Sequence, residues 1–190
     1  MKRVCILTGG SSGIGKATAL LLANNGYTVY ELSRSGLDAE GIRHITADVT
    51  EPEQVKAAIA SVLAAEGQID LLVNNAGFGI SGAVEFTDPK EAFSQLNVNF
   101  FGALNCIQAV LPAMRAQKSG HIVNISSVAA PIAIPFQSFY SATKAATNSL
   151  TLALRNEVKP FGVKVCAILP GDVKTGFTAA RKKSSAGAEV

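Results

Sequence analysis

The chain has 190 residues, of which 48% are hydrophobic and 16% are charged, and its net charge at pH 7 is +3. This length suits a single domain with a substantial core, and the composition excludes a largely disordered chain. The small net charge and the scattered basic residues, apart from a solvated trio at 181–183, predict no nucleic-acid partner. No stretch approaches the roughly 20 apolar residues of a membrane span, so no membrane partner is expected either.

The cysteines and histidines indicate neither a disulfide framework nor a metal site. Cys5, Cys106 and Cys166 are far apart in the sequence, and no CxxC pair occurs. Cys5 and Cys166 lie in apolar runs typical of strands, which predicts small buried side chains. His44 and His121 have no carboxylate or cysteine partner at a motif spacing, so no metal is expected. This cysteine usage fits a reducing compartment, and we expect a cytoplasmic location.

Short apolar runs alternate along the chain with segments of helical periodicity. Strands are predicted at residues 4–7, 27–32, 42–47, 71–73, 121–125 and 163–169. Helices are predicted at residues 14–24, 52–65, 89–114 and 138–159, with Pro112 marking a bend or stop in the third. Such alternation is typical of a parallel sheet with helices on both faces. The sequence therefore predicts an α/β doubly wound sheet, a three-layer Rossmann fold, in residues 1–177, followed by a frayed or disordered tail at 178–190.

The segment between the first strand and the first helix is rich in glycine. Residues 8–15 read TGGSSGIG, and the glycines permit a tight turn and a close approach of the backbone to a ligand. The helix that follows offers unpaired N–H groups and the positive end of its dipole to a phosphate. The spacing differs from the common G-x-G-x-x-G fingerprint. Because dinucleotides bind at this position of a parallel sheet, the loop predicts a phosphate cradle, with a purely structural turn as the alternative.

A second group of residues predicts acid–base chemistry. Tyr140 and Lys144 are four residues apart on a predicted helix, so their side chains lie on one face. Free tyrosine ionises near pH 10. A neighbouring ammonium favours the phenolate, which suits Tyr140 to general acid–base catalysis. Ser127 is placed at the carboxyl end of the fifth strand, where its hydroxyl could donate to a substrate oxygen as charge develops.

Six short motifs follow one another along the chain, namely the loop at 8–15, NNAG at 74–77, NFFG at 99–102, ISS at 125–127, YSATK at 140–144 and PGDVKT at 170–175. In this order they resemble the motifs of the short-chain dehydrogenase/reductase (SDR) family. Each motif alone is weak, but the six together are a specific resemblance that spans about residues 2–176. Members of this family usually continue further, with another helix and a seventh strand. We therefore expect six strands, the usual seventh missing, and the sixth exposed at the edge of the sheet.

The resemblance implies an oxidoreductase that transfers a hydride between a nicotinamide cofactor and a carbonyl or secondary alcohol. It implies that Tyr140 is the general acid and base, that Ser127 rather than Ser126 polarises the substrate oxygen, and that Lys144 binds the ribose and tunes Tyr140. It also implies that Asn99 holds a water that leads to Lys144. A core asparagine bonded to the backbone is the alternative for Asn99.

NADP(H) is the expected cofactor, with NAD(H) as the second possibility. Ser33 stands where an acidic residue would bind the ribose of NAD, and its hydroxyl together with the guanidinium of Arg34 suits a 2′-phosphate. A solvated surface arginine is the alternative, and Ser12, at a position often basic in NADP-preferring relatives, weakens the case. The other expected cofactor-binding residues are Gly9, Ser11, Ser12, Gly13, Ile14, Gly15, Asp48, Val49, Asn75, Ala76, Gly77, Pro170, Gly171, Val173 and Thr175, together with Tyr140 and Lys144.

The expected substrate is hydrophobic, because the segments at 78–82 and 130–139 are predicted to line its pocket and the second is apolar; loop packing is the alternative. The resemblance implies a homodimer or homotetramer formed through the helices at 89–114 and 138–159. Two other functions stay open. The chain could be a non-catalytic NADP(H)-binding redox sensor or scaffold, or an inactive fragment of a longer reductase.

Overall fold

The computed structural model describes residues 3–177 and 182–184 of the chain. Its strands are β1 (Arg3–Thr8), β2 (Tyr27–Ser33), β3 (Ile42–Thr46), β4 (Leu71–Asn74), β5 (Ile80–Ser81), β6 (Gly120–Ile125), β7 (Val163–Ile168) and β8 (Lys182–Lys183). Its helices are α1 (Gly13–Asn24), α2 (Pro52–Glu66), α3 (Pro89–Leu96), α4 (Gly102–Gln117) and α5 (Ser138–Val158). A π-helical turn lies at Asn97–Phe101, and 3-10 turns lie at Val84–Phe86 and Lys159–Phe161.

Six parallel strands form the central sheet in the order β3-β2-β1-β4-β6-β7. The chain runs outward from β1 to β3 and then returns to β4 on the other side of β1. Ligands bind at such a switch point, outside the carboxyl ends of the strands. This arrangement confirms the predicted Rossmann fold. Within the described part of the chain, β7 lies at one edge of the sheet, as predicted for the sixth strand.

The two faces of the sheet bury separate hydrophobic clusters. The larger cluster packs sheet residues such as Ile6 and Leu72 against α2, α4 and α5. The smaller cluster packs Cys5 and Leu7 against Ala19 of α1. Because neighbouring residues of a strand face opposite sides, the consecutive apolar residues of β1 serve both clusters. This explains why a short unbroken apolar run predicted a strand buried on both faces.

The edge strand β7 buries one of its faces more fully than the other. Val163 and Val165 are buried in the larger cluster, whereas Lys164 and Cys166 are exposed. Side chains alternate along a strand, so Cys166 projects from the face opposite to the one that packs on the cluster. The prediction of a buried Cys166 is therefore wrong, whereas the burial of Cys5 is confirmed.

The predicted helix at 89–114 consists of α3, the π-helical turn and α4. The prediction for Pro112 is a bend or a stop, and the stop is wrong because α4 continues through this proline to Gln117. The helix is capped by Lys118, whose backbone takes a left-handed φ of 53°. A proline removes one N–H donor from a helix, and packing of the surrounding turns outweighs that loss here. Cys106, Val110 and Met114 on this helix are fully buried in the larger cluster.

One helical stretch of the described chain, Pro89–Gln117, is long and apolar enough to cross a membrane when judged by length and composition. On that measure the expectation that no stretch approaches a membrane span is wrong. A core helix passes the same test, and the buried side chains of α4 pack against the central sheet. The finding is therefore weak evidence for a membrane span.

Three residues inside the segment predicted as a frayed tail are ordered against the body of the domain. The strand β8 pairs in parallel with β5, and the Ser184 N–H donates to the Ser81 carbonyl at 2.9 Å. The Ser184 hydroxyl donates to the Phe86 carbonyl at 3.0 Å. Backbone and hydroxyl bonds hold these residues in the absence of an apolar period, so the structure here differs from the prediction. Residues 178–181 and 185–190 of the predicted tail lie outside the described residues.

Candidate cofactor and active site

The loop after β1 is joined to the loop after β4 by hydrogen bonds through Thr8 and Asn75. The Thr8 hydroxyl accepts from the N–H groups of Asn75 at 3.1 Å and Ala76 at 3.0 Å. The Asn75 amide nitrogen donates to the carbonyls of Thr8 at 3.0 Å and Gly9 at 2.9 Å. The side chain of Asn75, predicted to touch the cofactor, thus also holds the glycine-rich loop in place. Without this side chain the two carbonyls would lose the donor that it supplies.

The four glycines of this loop have conformations or contacts that a side chain would disturb, and Gly9 and Gly15 show the two cases. Gly9 has a φ of 69°, in the left-handed region that favours glycine. A Cβ on Gly15 would lie 2.2 Å from the Gly9 carbonyl oxygen and 2.4 Å from the Asn75 amide nitrogen. The first turn of α1 can therefore approach the loop only without a side chain at residue 15. This packing leaves the N-terminus of α1 open to a phosphate.

A cleft of about 350 Å³ lies beside the ends of β2 and β3, where the adenosine half of a dinucleotide is expected. Its walls include seven of the predicted cofactor-binding residues, namely Gly9, Ser11, Ser33, Arg34, Asp48, Val49 and Ala76. Arg34 is exposed, so its guanidinium is available to an anion. Phe78 also lines this cleft, although it was predicted to line the substrate pocket.

A second cleft, of about 500 Å³, lies over the ends of β4, β6 and β7. The predicted site residues in its walls are Ser12, Gly13, Ile14, Asn75, Ser127, Tyr140, Lys144, Pro170, Gly171, Val173 and Thr175. The structure thus brings the phosphate loop and the serine, tyrosine and lysine into one cavity. Gly15, Gly77 and Asn99 line neither cleft.

Lys144 is buried beneath this cleft, next to the ring of Tyr140. Its Nζ donates to the Ile125 carbonyl at 2.7 Å and lies 5.7 Å from the centroid of the Tyr140 ring. Burial penalises the charged form and lowers the pKa of Lys144 from its usual 10.5 to about 8. The Tyr140 ring is half-buried and lies 5.8 Å from the Phe177 ring. A lysine with a lowered pKa and a phenol therefore share one wall of the cleft, as the spacing on α5 predicts.

The two serines after β6 have different partners. The Ser127 oxygen accepts from the Ala129 N–H at 3.1 Å, a bond that does not use the hydroxyl hydrogen. That hydrogen can therefore be directed to a substrate oxygen. The Ser126 hydroxyl donates to the backbone carbonyl of Lys144 at 3.3 Å, which ties β6 to α5. This arrangement fits the choice of Ser127 over Ser126, although both line the cleft.

Asn99 is buried in the π-helical turn and is fully bonded to its neighbours. Its Oδ1 accepts from the Phe78 N–H at 3.0 Å, and its Nδ2 lies 3.0 Å from the Phe78 carbonyl and 3.2 Å from the Thr143 hydroxyl. A Cβ on Gly77 would lie 3.0 Å from Asn99 Oδ1 and 3.8 Å from Lys144 Nζ. The side chain is thus a core asparagine bonded to backbone, and its role in a proton relay stays a prediction.

Sequence reasoning missed a buried carboxylate below the phosphate loop. Glu31 is only 3% exposed, and its Oε1 accepts from the Gly10 N–H at 2.7 Å. Its Oε2 lies 2.6 Å from His44 Nδ1 and accepts from the Ser33 hydroxyl at 3.1 Å. His44 has no carboxylate partner at a motif spacing in the sequence, but Glu31 becomes its partner because the two residues are register neighbours on β2 and β3. Pairing of the second and third strands was the signal that could have found them.

A third cleft, of about 580 Å³, adjoins the adenosine cleft and contributes one further cation. Ser11 and Ser35 line both clefts, and Lys16 and Glu31 line this one. Lys16 stands in the first turns of α1 and was not among the predicted site residues. Within residues 3–177 and 182–184, no cluster of histidine, cysteine and carboxylate side chains could hold a metal ion.

The predicted substrate-facing stretch at 130–139 is only partly in the second cleft. Ile134 and Gln137 line the cavity, together with the apolar side chains of Val128, Ala129 and Phe177. Ile132 and Phe136 instead are 63% and 66% exposed. The apolar wall is therefore narrower than the sequence alone predicts, and it is completed by residues that follow the PGDVKT motif.

Comparison with known proteins gives a consistent result along the whole described chain. A family model described as short chain dehydrogenase matches residues 3–186. A 3-ketodihydrosphingosine reductase from Bacteroides thetaiotaomicron is 45% identical over 177 residues, which cover 93% of this chain and 66% of that protein. A 3-oxoacyl-(acyl-carrier-protein) reductase from Thermotoga maritima is 36% identical over 187 residues, which cover 93% of this chain and 76% of that protein. The chain thus spans 66% of the length of the Bacteroides reductase.

Solved structures give the same picture. A short-chain dehydrogenase from Streptomyces avermitilis superposes with a TM-score of 0.91 at 36% identity, covering 100% of this chain and 72% of that one. ElxO with NADP bound superposes with a TM-score of 0.89 at 33% identity, covering 92% of this chain and 75% of that one. A 3-ketoacyl-(acyl-carrier-protein) reductase from Brucella melitensis complexed with NADH superposes with a TM-score of 0.89 at 28% identity, covering 94% of this chain and 79% of that one.

Proposed function

Because the chain belongs to the short chain dehydrogenase family, we propose that it is an NADP(H)-dependent oxidoreductase that reduces a hydrophobic carbonyl compound or oxidises the matching secondary alcohol. One observation carries this proposal. The phosphate loop and the side chains of Ser127, Tyr140 and Lys144 line a single cleft of about 500 Å³. A binding site for phosphate and an acid–base group are thereby placed within reach of one bound dinucleotide.

The residues of the two clefts fit a dinucleotide. The approach of α1 to Gly9 requires the missing Cβ at Gly15, and the N-terminus of α1 faces the second cleft through Gly13 and Ile14. When bound, a reduced nicotinamide supplies the hydride that a carbonyl carbon accepts. The adenosine half would lie in the cleft beside the ends of β2 and β3, next to Arg34.

The side chains supply the proton and its stabilisation. As the carbonyl carbon gains a hydride, its oxygen takes the proton of the Tyr140 phenol, which leaves a phenolate. Ser127 donates a hydrogen bond to the same oxygen, because its hydroxyl hydrogen is not used by the Ala129 N–H. The Lys144 ammonium favours the phenolate through its charge and takes part in re-protonating it. With a pKa of about 8, Lys144 can give up and regain a proton close to neutral pH.

NADP(H) is the proposed preferred cofactor, and NAD(H) is the second possible cofactor. No carboxylate occupies residue 33, and the exposed Arg34 beside it can bind a 2′-phosphate. Lys16 adds a cation in the adjoining cleft. One solved relative is described with NADP bound and another as complexed with NADH, so both cofactors are used among similar structures.

The proposed substrate is a ketone with an apolar chain. Val128, Ala129, Ile134 and Phe177 give the second cleft an apolar wall next to Tyr140. Two relatives are named as reductases of 3-ketodihydrosphingosine and of a 3-oxoacyl group, and both names denote a keto group. We further propose a cytoplasmic homodimer or homotetramer formed through the faces of α3, α4 and α5. Phe93 and Leu152 on these helices are 71% and 58% exposed.

The test is NADPH oxidation by the 190-residue chain with a panel of apolar ketones, followed together with NADPH binding. Tyr140→Phe should bind NADPH normally and lose nearly all turnover, whereas the matched variant Tyr27→Phe should keep both. Turnover by Tyr140→Phe at the unmodified rate would refute the assignment. NADPH binding without any turnover by the unmodified chain would favour a non-catalytic redox sensor or scaffold.

A further inference from the structure

Glu31 lies at the centre of a hydrogen-bond network that connects three separate segments. Its Oε1 accepts from the Gly10 N–H in the phosphate loop at 2.7 Å. Its Oε2 accepts from the Ser33 hydroxyl at the end of β2 at 3.1 Å and contacts His44 Nδ1 on β3 at 2.6 Å. Glu31 lines the third cleft, beside Lys16, and neither of the two clefts assigned to the dinucleotide, so the proposed chemistry gives it no role.

The position of this carboxylate is fixed by close packing against two glycines. A Cβ on Gly10 would lie 2.3 Å from Glu31 Cγ, and a Cβ on Gly36 would lie 2.6 Å from Glu31 Oε2. The carboxylate therefore cannot turn away without moving the loop on either side. This packing keeps Oε2 within hydrogen-bond distance of Ser33 and His44.

The carboxylate determines what Ser33 can offer to a ligand. An ionised carboxylate only accepts hydrogen bonds, whereas a serine hydroxyl has one hydrogen to donate and two lone pairs. Because Ser33 donates its hydrogen to Glu31, the oxygen that it presents to the adenosine cleft can only accept. A ribose 2′-hydroxyl can donate to that oxygen, but a 2′-phosphate has only acceptor oxygens to present to it.

We propose that Glu31 is a positioning residue that restricts the preference for NADP(H) over NAD(H) by holding the hydrogen of Ser33. Ser33 then favours the ribose hydroxyl of NAD(H), and Arg34 alone of this pair favours the 2′-phosphate. This inference rests on the proposed nicotinamide-dependent function. It assigns to a residue outside the cofactor clefts a control of cofactor choice that the identities of residues 33 and 34 alone do not indicate.

The variant Glu31→Gln keeps the hydrogen bond to Gly10 and reverses the bonds to Ser33 and His44. The amide oxygen can accept from the Gly10 N–H, and the amide nitrogen can donate to the Ser33 oxygen and to His44 Nδ1. The other ring nitrogen of His44 then carries the hydrogen, and it lies 3.1 Å from the Thr46 hydroxyl oxygen, which can accept it. Ser33 is thereby free to donate its own hydrogen to a 2′-phosphate.

The experiment measures the dissociation constants of NADPH and NADH by fluorescence titration for the unmodified chain, Glu31→Gln, Ser33→Ala and the double variant. Glu31→Gln should raise the ratio of the NADH constant to the NADPH constant about tenfold, the size of one hydrogen bond to a charged group. Ser33→Ala should weaken NADH several-fold and change NADPH less than about twofold. The double variant should lose the gain seen in Glu31→Gln.

Asp38→Asn is the matched control for the loss of one negative charge. The Oδ1 of Asp38 accepts from the backbone N–H of His44 at 2.6 Å, and an asparagine can keep that bond without touching Ser33. If Asp38→Asn raises the ratio of the NADH constant to the NADPH constant as much as Glu31→Gln does, the effect is due to charge and the proposal is overturned. An unchanged ratio in Glu31→Gln, or a gain that persists with Ser33→Ala, would also overturn it.

Two results separate this proposal from the proposed function. If the unmodified chain binds neither cofactor, the proposed function fails and this inference fails with it. If both cofactors bind and the ratio does not respond to Glu31→Gln, only this inference is overturned. If Glu31→Gln does not fold, Ser33→Ala alone tests the proposal. An equal loss of NADPH and NADH affinity in Ser33→Ala would contradict it, because the proposal holds that the Ser33 oxygen can only accept a hydrogen bond.

Discussion

The buried ammonium of Lys144 should make the stability of the folded chain depend on pH in a defined window. Burial lowers its pKa from 10.5 to about 8, and one pKa unit is worth about 1.4 kcal/mol, so the charged form costs about 3 kcal/mol. Between pH 8 and 10.5 the unfolded chain binds more protons at this lysine than the folded chain does. The free energy of unfolding should therefore rise with pH across this window and show the full cost below pH 8.

Lys144→Met removes the titrating group and should flatten this dependence. At pH 7 the variant is relieved of the buried charge but leaves the Ile125 carbonyl without its 2.7 Å donor, a loss of about 1–3 kcal/mol. Its stability at pH 7 should therefore be close to that of the unmodified chain. The informative quantity is the difference between the two proteins as pH rises, which should grow by about 3 kcal/mol in favour of the unmodified chain.

Urea unfolding followed by circular dichroism at pH 7 to 10.5 measures this difference. Lys90→Met is the matched control, because Lys90 is exposed on α3 and its removal should leave the pH dependence unchanged. A constant difference between Lys144→Met and the unmodified chain would refute the reasoning. It would mean that the ammonium is solvated well enough to keep its ordinary pKa.

Two further variants and one labelling experiment test the glycine-rich loop and the exposure of the cysteines. Gly15→Ala should abolish NADPH binding in a titration, because its Cβ would meet the Gly9 carbonyl at 2.2 Å; binding at normal affinity would contradict the loop geometry. Asn75→Ala should lower the free energy of unfolding in urea by about 2 kcal/mol, because two carbonyls lose their donor; an unchanged urea midpoint would count against this. A thiol reagent should label Cys166 rapidly and the other two cysteines only after unfolding, since both are buried; equal labelling rates would contradict the fold.

Much of the fold could be predicted because its signals are local. The apolar run in β1 predicts a strand buried on both faces, and the structure places Cys5 and Leu7 on one side and Ile6 on the other. The spacing of Tyr140 and Lys144 predicts a common helix face, and both side chains line one cleft. In each case a single segment contains all the information that the prediction needs.

Features that depend on contacts between segments were predicted less well. Whether Cys166 is buried depends on which face of β7 packs on the core, and the apolar run does not specify that face. A bend or a stop was expected at Pro112, but α4 packs against the sheet and continues past this proline to Gln117. The partnership of Glu31 with His44 requires the pairing register of β2 and β3, which only the assembled sheet shows.

The most direct test of the account follows the fate of a labelled hydride. The unmodified chain is incubated with NADPH that carries deuterium at the transferable position of its nicotinamide and with an apolar ketone. Mass spectrometry should find deuterium on the carbinol carbon of the product, and Tyr140→Phe should yield almost none while still binding NADPH. Alcohol product without deuterium, or equal labelled product from Tyr140→Phe, would contradict hydride transfer assisted by Tyr140.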